Sequence, residues 1–276
     1  MDVTERLRPL ARWDLARGPP IRAVFTDVDD TLTDAGLLSG AAYQALWDLH
    51  DAGIAVVAVT GRPAGWCDLI ARQWPVAGVV GENGALALAR DPKKLWQRTA
   101  AGLEAAPQRL QELAEAILRE VPRARLAADQ PHRRFDLAID FAEDEPKLSP
   151  DEVAQIVQVF HRHGARAKIS SIHVNGWFGD HDKLSMIRRF AEERLDLDLT
   201  GPDGRRCVYV GDSPNDAPAF AAFDLSVGVA NVRDFKDALD PPPRYVTDRP
   251  RGGGFVEFAQ HVLAGSRNMR QPGSAP

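Results

Sequence analysis

Residues 21–33 read Ile21-Arg22-Ala23-Val24-Phe25-Thr26-Asp27-Val28-Asp29-Asp30-Thr31-Leu32-Thr33. The first six have the length and β-branched, apolar character of a short buried strand, after which the chain turns acidic at once. Asp27 and Asp29 stand two residues apart at that strand's end. In a parallel α/β sheet, ligands bind in the crevice beyond the strand C-termini, and both carboxylates can point into it. Alone, such an acidic loop is a solvated turn or a helix cap. What the rest of the chain sets beside it decides between the two readings.

Outward from this stretch the pattern is strand, then helix. Residues 39–52 form a helix with Ser39 as N-cap, Ala42, Leu46 and Leu49 on one face, and Gly53 as its stop. Residues 54–59 are a β-branched run. A helix over about 64–74 and a strand over 77–80 follow. The rhythm returns late, with a helix over 182–194, a strand over 206–210, a short helix over 215–223, a strand over 225–229 and a helix over 254–263. Strands alternating with helices of this length predict an α/β protein with a Rossmann-like, doubly wound parallel sheet.

The middle breaks the rhythm. A helix near 105–120, an alternating strand over 134–141, a helix over 150–163 opened by Pro150, and β-patterned residues 165–174 predict an inserted α+β cap domain. The expected organisation is an N-terminal extension over 1–20, a core domain over 21–85 and 179–264, a cap over 86–178, and a polar, disordered tail over 265–276.

Composition narrows the function classes. Of 276 residues, 44% are hydrophobic and 26% charged, which suits a globular chain with a real core. The net charge, 34 − 39 = −5, gives no basic face for nucleic acid. The two cysteines, Cys67 and Cys207, lie far apart without a CxxC partner, which argues against a zinc site and fits a reducing compartment. The N-terminal residues carry charges every few positions, unlike a signal peptide, and the longest apolar runs are strand length. No membrane partner and a cytoplasmic location are expected. The oligomeric state is left as monomer or homodimer.

Three further motifs lie at predicted strand ends or helix starts. Thr60-Gly61-Arg62-Pro63 follows the second strand; a Thr hydroxyl and a Gly amide there can hold phosphate oxygens, because glycine lets the main chain approach closely. Lys183 opens a helix after Gly179-Asp180-His181-Asp182. Gly211-Asp212-Ser213-Pro214-Asn215-Asp216 follows another strand, with two carboxylates that could hold a hard cation. Each has a bland alternative: a strand-to-helix turn, a solvated lysine, an Asx turn.

Together and in this order, the four motifs resemble those of the haloacid dehalogenase superfamily, over about residues 21–264. The insert between Thr60 and Lys183 sits where the type-2 cap of that superfamily sits. Gly81-Glu82-Asn83-Gly84-Ala85 looks like the Cof-type branch (subfamily IIB), which includes sucrose-, trehalose- and mannosyl-3-phosphoglycerate phosphatases. The resemblance implies a phosphatase for a small phosphorylated metabolite, such as a sugar phosphate or glycosyl-phosphoglycerate. It implies Asp27 as nucleophile, Asp29 as general acid and base, and Lys183 as a neutralising charge. Thr60, Gly61 and Arg62 would bind phosphate. Mg²⁺ would take the side chains of Asp27 and Asp212 and the backbone carbonyl of Asp29, with Asp216 binding the ion or orienting its waters. Asp30 departs from the commoner glycine. The acid at Asp29 points to phosphoryl rather than carbon–halogen chemistry.

Substrate contacts are expected from Asn83, His173, Asn175 and Asn215, with Ser171 and Arg134 as further cap candidates. His161 and His163 are expected to serve a helix C-terminus, and Trp66, Trp74 and Trp177 to pack. The alternatives are a phosphomutase of the same superfamily, a receiver-like signalling domain, for which this chain is too long and its first acid too early, and a non-catalytic phospho-ligand-binding protein.

Overall fold

Val24 and Phe25 are neighbours, both fully buried, yet they pack into different cores. That is the mark of a strand covered on both faces, and the strand carrying them lies inside the central sheet. The computed structural model describes residues 7–270, apart from 145, 171, 236 and 237. Ser171 therefore lies outside the described residues.

The strands begin with β1 (Arg8–Pro9), β2 (Ala23–Asp27), β3 (Thr33–Asp34), β4 (Leu37–Leu38) and β5 (Ala55–Val59). Next come β6 (Gly78–Gly81), β7 (Leu86–Ala89), β8 (Trp96–Thr99), β9 (Arg125–Leu126) and β10 (Asp136–Asp140). The last are β11 (Arg166–Ile169), β12 (His173–Trp177), β13 (Cys207–Gly211), β14 (Leu225–Gly228) and β15 (Tyr245–Val246). The helices are α1 (Gly40–Asp51), α2 (Ala64–Gln73), α3 (Ala106–Glu120), α4 (Pro150–Arg162), α5 (Lys183–Leu195), α6 (Ala217–Ala222) and α7 (Arg251–Arg270).

Nine strands form the central sheet in the order β1-β15-β14-β13-β2-β5-β6-β7-β8. It is parallel from β1 to β6 and antiparallel across β6-β7-β8. One face buries Leu46, Ile70 and Phe255 from α1, α2 and α7; the other buries Ile187, Phe190 and Phe220 from α5 and α6. The α/β expectation thus holds. Both cysteines are free and buried.

A smaller antiparallel sheet, β11-β12-β10-β9, carries α3 and α4 over a separate core that includes Ile117, Ile139, Phe160 and Val174. Ser149 opens α4 with a capping box to Glu152, which satisfies donors at the helix start.

Several expectations shift. Residues 86–99, assigned to the insert, extend the central sheet through β7 and β8; the short run Leu86–Ala89 finds a partner in β6 that periodicity cannot reveal. The β-patterned residues 165–174 contain β11 and the start of β12. The N-terminal extension is built in: β1 pairs with β15, and Leu10, Trp13 and Leu15 join the core. The last helix starts at Arg251 and runs to Arg270, through part of the expected tail; residues 271–276 lie outside the described residues. Among the described residues, no helix is long and apolar enough to cross a membrane.

Candidate active site

The sheet order brings the motifs together. β2 lies between β13 and β5, with Asp27 opposite Val59 and Thr26 opposite Val210. Asp27, Thr60 and Asp212 therefore emerge side by side at the C-terminal ends of three adjacent strands. Lys183 is the first residue of α5, whose N-cap Asp182 accepts from the Ser185 amide at 2.7 Å. From there its ammonium Nζ donates to Asp27 Oδ1 at 2.6 Å and lies 3.7 Å from Asp216 Oδ1.

Asp27, Asp212 and Asp216 are all buried, and ligand oxygens from the three lie within 4.8 Å of one another. Burial pushes Asp27 up to about 7, against the pull of Lys183. Burial, then the carboxylates of Asp216 and Asp27, push Asp212 up to about 9. Three converging hard oxygen donors that repel one another suit a divalent cation such as magnesium, so the residues fit the ion that the motifs imply.

Asp212 is held by the Thr31 hydroxyl at 3.0 Å and by Asn231 Nδ2 at 3.1 Å. Asp216 is more fully committed. It accepts from the Tyr209 hydroxyl at 2.6 Å and from the amides of Asp212 and Ser213 at 3.0 and 3.2 Å. Its geometry is that of an acid that shapes the loop.

Asp29 is not part of the carboxylate cluster of Asp27, Asp212 and Asp216. Arg62 grips it through Nε, 3.1 and 3.2 Å from its two oxygens, and through Nη2 at 3.0 Å. The Thr60 hydroxyl accepts from the Arg62 amide at 2.9 Å. The Arg62 guanidinium also stacks 4.7 Å above the Trp66 ring, so Trp66, read as a packing residue, steadies a site residue while staying half-exposed.

A cleft of about 370 Å³ lies between the two sheets, lined by Asp27, Asp29, Gly61, Arg62, Asn83, His173, Asn175, Lys183, Asp212 and Asn215, among others. All four expected substrate contacts, Asn83, His173, Asn175 and Asn215, thus border it. Two are engaged: His173 Nε2 lies 2.7 Å from Glu143 Oε2, and Asn175 Nδ2 donates to Asp136 Oδ2 at 3.0 Å. Arg134 is replaced by its neighbour: Arg133 lines the cleft, whereas the Arg134 amide donates to Glu82. His163 Nδ1 lies 2.9 Å from the Val159 carbonyl, at the end of α4 as expected. Trp74 meets Tyr43 edge-on, and buried Trp177 donates through Nε1 to the His181 carbonyl at 3.3 Å.

Sequence reading missed Lys168, Asn231 and Arg133. Lys168 and Arg133 look like ordinary surface cations in sequence. Asn231 meets Asp212 only through the pairing of β13 with β14, and no local pattern marks it.

The family model of the haloacid dehalogenase-like hydrolases matches residues 24–117. The chain is 23% identical over 250 residues to a phosphoglycolate phosphatase of Methanothrix thermoacetophila, covering 88% of this chain and 98% of that one. It is 28% identical over 254 residues to a phosphoglycolate phosphatase of Methanospirillum hungatei, covering 88% and 99%. A crystal structure from Thermoplasma acidophilum shares the fold, with a TM-score of 0.70 at 20% identity over 88% of this chain and 99% of that one.

Proposed function

The chain is a haloacid dehalogenase-like hydrolase, and from that premise we propose that it is a magnesium-dependent phosphatase acting on a small phosphorylated metabolite through an aspartyl-phosphate at Asp27. The observation that carries this is the Lys183 ammonium 2.6 Å from Asp27 Oδ1, beside the buried Asp212 and Asp216.

In the first step an Asp27 oxygen attacks phosphorus as the bond to the leaving alcohol breaks, and Asp29 gives the alcohol oxygen its proton. In the second, water attacks the same phosphorus, Asp29 takes its proton, and the bond to Asp27 breaks to free phosphate. The proton that Asp29 gives up in the first step it regains from water in the second, and in the structure Arg62 grips the same carboxyl oxygens. To donate in the first step Asp29 must leave Arg62, and the incoming phosphoryl group is an anion that can replace it. Lys183 offsets the repulsion between nucleophile and phosphate, and Thr60 with the Gly61 amide holds the phosphoryl oxygens in line. When bound by Asp27, Asp212 and the Asp29 carbonyl, magnesium supplies the remaining positive charge; Asp216 sets the loop that carries Asp212.

The substrate class is a sugar phosphate or a phosphorylated hydroxy acid. The second enters because two similar proteins are named for phosphoglycolate. The purified protein should release phosphate from 4-nitrophenyl phosphate with Mg²⁺, and fall to background with EDTA or as Asp27→Asn. Full activity in that variant would falsify the assigned nucleophile.

A further inference from the structure

We propose that Lys168 reads a carboxylate on the leaving alcohol, so that the enzyme selects phosphorylated hydroxy acids over neutral phosphate esters of the same size, an inference that rests on the phosphatase reading above. Lys168 lies on β11, the edge strand of the smaller sheet, directly opposite Asn175 on β12. Its ammonium reaches across to the core, where Nζ donates to the Asn215 carbonyl at 3.1 Å, in the loop between Asp212 and Asp216.

The other cations bordering the cleft are already neutralised. Lys183 is paired with Asp27, Arg62 with Asp29, Arg133 with Asp129 and Asp136, and Arg251 with Asp30 and Asp34. Among the described residues lining the cleft, Lys168 is the lysine or arginine without an ion-pair partner, its one hydrogen bond going to a neutral carbonyl. It also borders a second cavity of about 520 Å³ that adjoins the cleft, so its charge stands where the two spaces meet. A largely buried ammonium beside a second ammonium is costly unless an anion joins it. Burial and then Lys183 push it down to about 8, as a missing counter-ion would leave it.

The phosphoryl oxygens have Lys183, Thr60 and Gly61 as partners in the reading above. A second anion on a small leaving group is what remains for Lys168. A carboxylate there would form a charge-assisted hydrogen bond, whereas a neutral alkyl group would leave the ammonium unpaired.

The test compares kcat/KM for 2-phosphoglycolate and for ethyl phosphate, which lacks the carboxylate, in the native chain, Lys168→Met and Lys168→Arg. The native chain should prefer 2-phosphoglycolate. Lys168→Met should lower that preference by at least about tenfold, chiefly through KM, the scale of a lost hydrogen bond to a charged group. Lys168→Arg should keep most of it. No preference in the native chain, or a parallel loss for both esters in Lys168→Met, would overturn the assignment while leaving the phosphatase reading intact. If the native chain releases phosphate from neither ester nor from an aryl phosphate, the phosphatase reading itself fails.

Discussion

Lys168 carries a pH signature because its charge depends on its surroundings. Burial, and then the Lys183 ammonium, outweigh the nearby carboxylates of Asp216, Asp27 and Asp182, and bring it from an ordinary 10.5 to about 8. The folded value lies below the unfolded one, so its contribution to stability is present above about pH 10.5 and lost as pH falls through 8. Binding runs the opposite way: the ammonium that holds an anion exists below pH 8 and disappears above it. KM for 2-phosphoglycolate should therefore rise above pH 8, by about tenfold per unit once the ammonium is the minor form. In Lys168→Arg the guanidinium stays charged, and the rise should vanish. At pH 7 Lys168→Met should melt above the native chain, since it removes a buried charge; steady-state kinetics and a thermal melt across pH 6–9 check both. The acidic loop, Thr60 and Lys183 were legible because each follows a strand or opens a helix. Lys168 was not, because one lysine on an edge strand looks the same whether it meets water or a cleft.

At the scale of elements, Gly84 shows why the stretch 81–85 is built as it is. Asn83 and Gly84 both take positive φ, at 55° and 98°, which turns the chain sharply out of β6. A methyl group on Gly84 would stand 2.0 Å from the Asp182 carbonyl oxygen and 2.8 Å from the Lys183 amide. These are backbone atoms at the start of α5, and they cannot step aside cheaply. Gly84→Ala should therefore shift the helix start and draw Lys183 off Asp27. We expect kcat to fall by about 10²-fold, the scale of a roughly 1 Å displacement of a positioning group, together with a lower melting temperature. Gly40→Ala is the control: Gly40 opens α1 with nothing within 4 Å of an added methyl, and both readouts should stay at the native level or rise slightly. The helices and parallel strands were legible from periodicity and from start signals such as the Ser39 cap and Pro150. The β7-β8 hairpin was not, because a four-residue apolar run carries no sign of which sheet it joins.

At the scale of the whole molecule, the two sheets meet through buried charge as well as through apolar residues such as Phe135, which packs against a core on each side. Glu82, at the end of β6, accepts from the amides of Arg134 and Phe135 at 2.9 and 2.6 Å, where the chain enters β10. Arg133 donates to the Gly61 carbonyl at 2.9 Å, fixing the loop after β5 from the side of the smaller sheet. The Arg133 side chain is 1% exposed and also holds Asp129 at 3.0 Å and Asp136 at 2.9 Å. No sequence pattern announces such a junction, since its partners are 72 residues apart in the case of Gly61 and Arg133. Arg133→Met would leave the fully buried Asp136 with Asn175 but no counter-charge, and Asp129 with only Arg62 at 3.8 Å, and should cost about 3–5 kcal/mol in urea denaturation at pH 8. The pH response distinguishes this from lost packing. Burial already raises Asp136, and Arg133 holds it down. Without the arginine its folded value rises further above the unfolded one, so the folded state binds the extra proton and stability returns as pH falls from 8 to 5. Adding Asp136→Asn should recover part of the loss at pH 8 and flatten that response, whereas a loss independent of pH in both variants would mean that Arg133 acts through its bulk and not its charge.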